Sequence, residues 1–390
     1  MTAILANSFG LEKIDLIEDA IQDSMIKALR VWPFHGIPDK PEAWLIKVAR
    51  NSLIDKLRRE QKSDSFDDLA VVSNETIDVR FNDELAEDTL RMMFACCDPR
   101  ISPDSRVALT LREIGGFSVI EIAAAFLAKP EAIAKLLTRA KGRLRGTRLG
   151  IPPPSAIPER LEAVLRAVYL MFSEGYSTSH GELPIRNDLC FEAIRLAEIL
   201  ANHPVTGVPK THALLALFFL QTARLPSRFD ENGDVLRLDE QDRSRWDQRL
   251  LAAGLRQLAK SASGNDLSPY HVEAEIASIH AVSGSFDGTD WVRLVECYDR
   301  LLDFRHSPIV ALNRAIAIWK VHGPRSAVDQ LEPLREPLSD YAHFHITRGE
   351  FLLELNRSEE AETDFRRALE LCRSTAMFRF LRQRLSEKTN

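Results

Sequence analysis

Long apolar runs are missing from this chain of 390 residues. No stretch reaches the ~18 uncharged apolar residues that a bilayer-crossing helix needs, so no membrane span is expected. The opening MTAILANSFGLEKIDLIEDA places acids where the apolar core of a secretory signal would continue, so a secreted fate is not expected. Cysteine is scarce, with five residues at scattered positions. An odd, dispersed set excludes a disulfide framework and fits the reduced thiols of a cytoplasmic protein. Cys96 and Cys97 are adjacent, but no second pair stands at ligand spacing. All five are therefore expected as packing residues, and neither a metal nor another cofactor is expected.

Catalytic signatures are equally scarce. There is no Walker loop, no dinucleotide-type glycine pattern and no Ser or Cys nucleophile motif. Lys210, in GVPKTH, sits in no glycine-rich phosphate cradle. Glu174, His180 and Asp188 fall in or near SEGYSTSHGELPIRNDL, with His203 and His212 close in sequence. A His/acid group of that kind can do acid–base or metal chemistry. Its spacing matches no ligand motif, and structural satisfaction is the better expectation, so no enzyme is expected. Strand-like alternation is also absent, apart from a turn pattern at FDENGDVLRLD. An all-α chain of two or three domains is the expectation.

What is present is ordinary in bulk and uneven in detail. Hydrophobic residues make up 45% and charged residues 28%, a soluble globular balance. The formal net charge of -6 hides two opposed blocks. Residues 129–148 hold seven Lys/Arg against the single acid Glu131, and residues 64–88 hold nine acids against the single Arg80. A chain that is acidic overall can still hold nucleic acid if its basic residues gather on one surface.

The apolar spacing predicts a helix over 14–30, with Leu16, Ile17, Ala20, Ile21, Met25 and Leu29 as its apolar stripe and Glu18, Asp19, Gln22 and Asp23 on the acidic side. The Pro- and Gly-rich WPFHGIPDKPEAW at 32–44 reads as a loop. A second helix follows over 41–61, with Leu45, Val48, Ala49, Leu53 and Leu57 inward and Lys47, Arg50, Asn51, Lys56, Arg58, Arg59 and Lys62 outward. The acidic, aperiodic 63–83 reads as a linker. Helices are expected over 84–97, then from the capping Ser102 to about Ile114, where Gly115-Gly116 ends the run.

Residues 118–145, SVIEIAAAFLAKPEAIAKLLTRAKGRLR, hold two apolar-periodic runs around a break. Val119, Ile122, Ala123 and Phe126 share one face of the first run, and Ile133, Leu137, Ala140 and Leu144 one face of the second. Pro130 stands in a first turn, where its missing N–H costs nothing. Lys129, Lys135, Arg139, Lys141, Arg143 and Arg145 are read as the outer face. Two short helices with a basic second one suit a helix-turn-helix. A solvated amphipathic hairpin has the same pattern. Likewise Trp44, Arg50, Asn51, Arg58 and Arg59 suit single-stranded nucleic acid, or else Trp44 is core and the basic groups are solvated.

Beyond a Pro-rich linker at 149–156, further helices are expected over 160–172, 187–200, 208–221 and 242–260. A period of 34 then emerges. Gly349, Ala361, Phe365 and Ala368 repeat the positions of Ala315, Ala327, Leu331 and Leu334, the small/large alternation of tetratricopeptide units. A degenerate third unit runs through Ala277 and Tyr298–Leu302. The expected domains are thus 1–62, 84–148, a helical extension at 157–275 and tetratricopeptide-like repeats at 276–390.

The ordered set IEDAIQDSMIKAL, PEAWLIKVARNSLIDKLRRE and the 118–145 stretch resembles regions 2 and 4 of bacterial sigma-70 factors of the extracytoplasmic-function group. YLMFSEGYS, NDLCFEAIRLAEIL, QDRSRWDQRL and SPIVALNRAIAI resemble the subgroup with a fused tetratricopeptide-containing extension. The resemblance implies a sigma factor with core RNA polymerase and promoter DNA as partners. Asp19, Gln22 and Asp23 would then meet the clamp of the β′ subunit. The 32–44 loop with Trp44, Arg50, Asn51, Asp55, Arg58 and Arg59 would recognise and open the −10 element. Lys129, Glu131, Ala134, Lys135, Thr138 and Arg139 would read the −35 element, with Arg143 and Arg145 on phosphates, and the same region would touch the β flap. In that frame Ile133 and Leu136 hold core positions and Ala123 the small one of the first helix. The extension would regulate, through a protein contact or a small ligand.

Two departures stand out. Leu127-Ala128 replaces a common turn glycine, and few residues precede Ile17, which implies a shortened first region 2 helix. The competing expectation is a helical repeat adaptor with a non-functional DNA-binding module.

Overall fold

Helices account for the regular elements among the described residues of the computed structural model, seventeen α-helices with four short 3-10 turns. Those residues are 1–10, 13–60, 81–126, 128–145, 150–176, 186–231, 236–372 and 375–386. The all-α expectation holds. The chain forms two compact units, Met1–Thr206 and Gly207–Asn390.

The first unit opens with α1 (Thr2–Phe9), for which the sequence offered no pattern. It buries Leu5 and Ala6 and packs on α4 (Phe81–Cys96), where Asn7 Nδ2 donates to Asp88 Oδ1 at 2.8 Å. α2 (Ile14–His35) pairs with α3 (Pro41–Glu60) across a short connection. Here two expectations are corrected. α2 continues through Pro33 to His35, so the connection begins only at Gly36. Gly36 takes φ 80 and its N–H caps Trp32 O at 2.9 Å, a conformation that favours glycine. The buried stripe is Ile14, Ile17, Ala20, Ile21, Ser24 and Ala28, whereas Met25 and Leu29 face out, Leu29 at 77% exposure. Positions 17, 21, 24 and 28 keep the helical period, and 25 and 29 lie about 100° round from 24 and 28.

The 61–80 part of the expected linker lies outside the described residues. The expected boundary at 84 moves, since α4 already begins at Phe81. α5 (Pro103–Glu113) starts at Ser102, whose hydroxyl accepts from Ser105 N, and Pro103 holds a first-turn position. α6 (Val119–Ala125) and α7 (Pro130–Arg143) follow. α8 (Ile157–Tyr176) packs along α5 and pairs with α9 (Asn187–Asn202).

The Pro-rich stretch before α8 therefore sits inside one packed unit. Arg160 reaches Asp98 at 3.3 Å and Arg106 reaches Glu159 at 3.4 Å. Gly115 lets α8 approach, because a Cβ there would stand 2.5 Å from Met171 Cε.

The second unit begins with α10 (Pro209–Thr222), buried nearly all round and packed on both α11 (Gln248–Ser261) and α12 (Pro269–Val282). The expected helix over 242–260 starts later. Asp242 caps only a 3-10 turn, Trp246 turns inward, and Asp247 is the cap that opens α11. α13 (Trp291–Phe304), α14 (Pro308–Leu331), α15 (Ala342–Glu354), α16 (Ser358–Leu371) and α17 (Thr375–Ser386) complete the unit. α14 is two helical arms meeting at Gly323, which takes φ 81. Ala315, Ala327, Leu331, Ala361, Phe365 and Ala368 are all buried in one core, with Leu334 packed against it.

Candidate nucleic-acid and polymerase interface

The shape of α7 follows from its residues. Lys129 is the N-cap with extended backbone, and Pro130 opens the helix. Ile133, Leu137, Ala140 and Leu144 are buried, and Leu136 is half-buried. On the outer side Lys129, Glu131, Ala134, Lys135, Thr138, Arg139, Arg143 and Arg145 are all exposed. Thr138 Oγ1 donates to Ala134 O at 2.8 Å, so its hydroxyl is engaged by its own helix. The side chains of the preceding helix fix the platform. Ser118 and Glu121 form a reciprocal capping box, and Ile122 and Ala123 are buried. Burial opposes ionisation of Glu121, but its hydrogen bonds from Ser118 and from Arg186 outweigh that and hold its carboxyl below the usual range. Arg186 stands immediately before α9 and so ties α6 to α9.

Lys141 is the exception on α7. Expected outside, it is turned inward, 2.7 Å from Asp15 Oδ1 on α2 and 3.1 Å from Glu113 Oε1 on α5. Arg112 reaches Glu18 at 3.5 Å. An open cleft between these helices is lined by Asp15, Glu18, Arg112, Ala134, Thr138 and Arg145. Three expected −35 residues, Ala134, Thr138 and Arg145, thus share a cleft with the start of α2.

On α2 and α3 the geometry is mixed. Asp19 and Gln22 are exposed. Asp23 is engaged within the pair, accepting from Lys56 at 2.8 Å and Ser52 at 3.3 Å. The Lys56 hydrogen bond holds its carboxyl below the usual range. Trp44 is half-buried with its ring 5.5 Å from that of Trp32. Arg50 is half-buried, while Asn51 and Asp55 are exposed. The side chains of Arg58 and Arg59 lie outside the described residues.

The apolar residues beside Gln22 escaped sequence reasoning. Met25, Ile26, Leu29, Phe34 and Ile37 are all exposed, Phe34 at 85%. An exposed apolar group of this kind is the form of an interaction surface. Only the sense in which α2 packs on α3 reveals it.

Among the described residues Asp188, His203 and His212 take separate partners. Asp188 pairs with Arg186 at 2.9 Å, His203 faces Glu87 at 3.7 Å, and His212 Nδ1 meets Gln257 Oε1 at 2.8 Å. His180 lies outside the described residues. Cys96, Cys97, Cys190 and Cys297 are buried and Cys372 is half-buried. Burial pushes the Cys97 thiol up to about 12, the state of a packing residue. Among the described residues no helix is long and apolar enough to cross a membrane.

Comparison with known proteins matches two parts of the chain. The family described as sigma-70 region 2 matches residues 6–63, which hold the second half of α1 and all of α2 and α3. A family of unknown function (DUF6596) matches residues 160–262. The uncharacterized protein R00370 of Rhizobium meliloti (strain 1021) is 38% identical over 380 residues, which covers 95% of this chain and 90% of that one.

Proposed function

We propose, from the premise that this chain belongs to the sigma-70 family and shares one family with its rhizobial relative along almost its whole length, that it is a promoter-directing sigma factor of the extracytoplasmic-function type. Its role lies in transcription initiation, and the family does its work by binding rather than by a covalent step. The observation that carries the reading is the region 2 match over residues 6–63, where an exposed acidic and apolar face of α2 adjoins a basic α3.

In this reading the parts divide by charge and by exposure. Asp19 and Gln22, with Ile26 and Leu29 on the same face of α2, dock on the β′ clamp of core RNA polymerase. Asp23 supports that face through Lys56 rather than by direct contact. Trp44, Arg50, Asn51, Asp55, Arg58 and Arg59 engage the −10 strand, where cations follow phosphates and a ring accepts an unstacked base. α6 and α7 act as region 4. Lys129, Glu131, Ala134, Lys135, Thr138 and Arg139 meet base edges of the −35 element, and Arg143 and Arg145 meet its backbone. Region 4 also touches the β flap. The helices from 157 onward regulate the whole from the cytoplasm, with 276–390 as a tetratricopeptide-like stack.

Run-off transcription with purified core polymerase and the full chain tests this. A promoter-specific transcript that requires the chain supports it. No chain-dependent transcript from any promoter of a genomic library favours the helical repeat adaptor instead.

A further inference from the structure

In the second unit two guanidinium groups and an imidazole converge, and among the described residues none of them forms an ion pair with an acid. Arg224 follows α10, Arg243 lies in the 3-10 turn before α11, and His280 sits in the last turn of α12. Both guanidinium groups lie over the indole of Trp246, with Cζ 5.6 Å and 4.9 Å from its centroid. The His280 ring meets Trp291 at 5.8 Å.

Among the described residues neither arginine has a carboxylate partner. Arg224 donates to Gln221 Oε1 at 3.2 Å and Gln241 Oε1 at 3.3 Å. Arg243 donates from Nη1 to the carbonyls of His280 and Ser283, at 2.5 Å and 2.8 Å. By contrast Arg293, Arg305, Arg314 and Arg348 of the same unit each pair with an acid. The carbonyls at the end of α12 account for one edge of the Arg243 fork, since a helix C-terminus attracts a cation.

They do not account for the rest. Arg243 Nη2, Trp246 Nε1, Trp291 Nε1 and His280 Nδ1 are buried without a hydrogen-bond partner. Trp246 is 3% and His280 8% exposed. A buried polar group left unsatisfied is unusual in a native fold, and four in one neighbourhood call for a common partner. Burial, reinforced by Arg224 and Arg243, pushes His280 down to about 4, so near neutral pH its imidazole is uncharged and its proton is free to be placed by a ligand.

We propose that Arg224, Arg243, Trp246 and His280 form a binding site for a small oxyanion, a phosphate or carboxylate group. Two fixed cations supply the charge, and the indole and imidazole N–H groups supply direction. The buried position of Trp246 and His280 suits a small group rather than an extended acidic peptide. An anion beside His280 reverses the local field, so binding draws a proton onto the ring. The inference deepens the regulatory reading of the extension by giving its ligand a chemical class. Binding needs no polymerase, so failure here and failure of the transcriptional reading are separate results.

The test is calorimetric titration of the full chain at pH 7 with inorganic phosphate and, separately, with acetate, at fixed chloride. One-to-one saturation by either anion is expected, and the anion that saturates at lower concentration identifies the group. Arg224→Gln, which keeps an amide beside its present amide partners, should weaken that binding by about tenfold or more. The imidazole resonance of His280 should shift its titration midpoint upward by about one pH unit or more in the saturating anion. Non-saturable heats from both anions, equal binding by the wild type and a folded Arg224→Gln, or an unmoved His280 midpoint would each overturn the site. If Arg224→Gln fails to fold, the wild-type titration and the His280 midpoint still decide.

Discussion

Lys141 Nζ stands 3.1 Å from Glu113 Oε1, yet neither oxygen of that buried carboxylate completes a hydrogen bond. Burial therefore dominates, and it pushes Glu113 up to about 7 while Lys141 pulls the other way. A folded pKa above the unfolded value means that the folded chain holds the proton longer. The associated stability is complete below the unfolded carboxyl range and is lost as pH rises through about 7. Glu113→Gln should then be close to neutral at pH 5 and stabilise the first unit at pH 8 by about 1–3 kcal/mol. Lys141→Met should do the reverse at pH 8, because it leaves the carboxylate uncompensated. Urea melts of both variants at the two pH values check the sign; a Glu113→Gln chain less stable than wild type at pH 8 would show the ion pair to be the stronger effect.

Arg139 and Arg143 are both exposed on α7, one in its middle and one at its last residue. If Arg139 reads a base edge, Arg139→Ala changes −35 preference and costs about 1–3 kcal/mol on the preferred sequence. Arg143→Ala, on phosphate, weakens all sequences alike and flattens the salt dependence by roughly one ion. Competition binding of a −35 library at two salt concentrations separates the two. Identical behaviour of the variants would remove the division of roles.

Leu29 is 77% exposed on α2 and stabilises little by being apolar there. Leu29→Glu should leave the unfolding midpoint unchanged within about 0.5 kcal/mol. It should nonetheless reduce binding of the full chain to core polymerase, measured by fluorescence anisotropy. Unaltered affinity would move the docking surface off this face of α2.

How far the sequence carried these readings depended on how local the cause was. The inner face of α7 was legible, because Ile133, Leu137, Ala140 and Leu144 keep the helical period and Pro130 marks the start. Ser102 was legible in the same way, as a cap acting on the residue three positions on. Lys141 was not, since its inward turn depends on Asp15 and Glu113 from two other helices. Met25 and Leu29 were read as core because apolar character does not say which of two neighbouring stripes meets α3. α1 was missed for a related reason: its partner, α4, lies some seventy residues on, and a short helix is stabilised by such packing rather than by its own propensity.

Gly115, just after α5, sets the approach of α8, most of which lies within the residues matched by the family of unknown function. A Cβ there would stand 2.5 Å from Met171 Cε and 2.9 Å from the carbonyl oxygen of Leu111. The thioether can swing away, but the backbone oxygen of α5 cannot. Gly115→Ala should therefore destabilise the first unit by about 1–3 kcal/mol, and Met171→Ala should recover only part of it. Thermal melts of the single and double variants check this. Full recovery in the double variant would place the whole clash on Met171.

Gly349 makes the closest approach in the repeat-like part of the second unit. A Cβ on it would fall 2.6 Å from Cε1 and 2.9 Å from Cδ1 of Phe365, a ring that is itself 2% exposed. Its backbone is ordinary helix, so space and not conformation demands the glycine. Gly349→Ala gains helix propensity of about 1 kcal/mol. Against that stands an overpacked core, which costs roughly 1–3 kcal/mol when the neighbour is a closely packed ring. The net effect should be destabilising. Phe365→Leu alone should also destabilise, by leaving a partial cavity, but the double variant should be more stable than the sum of the two losses predicts. A double-mutant cycle of chemical denaturation measures that coupling, expected at about 1 kcal/mol or more for residues in direct contact. Additive losses would mean that α15 shifts away from α16 to admit the methyl group, and that the small-against-large register of the two helices is not what fixes their spacing.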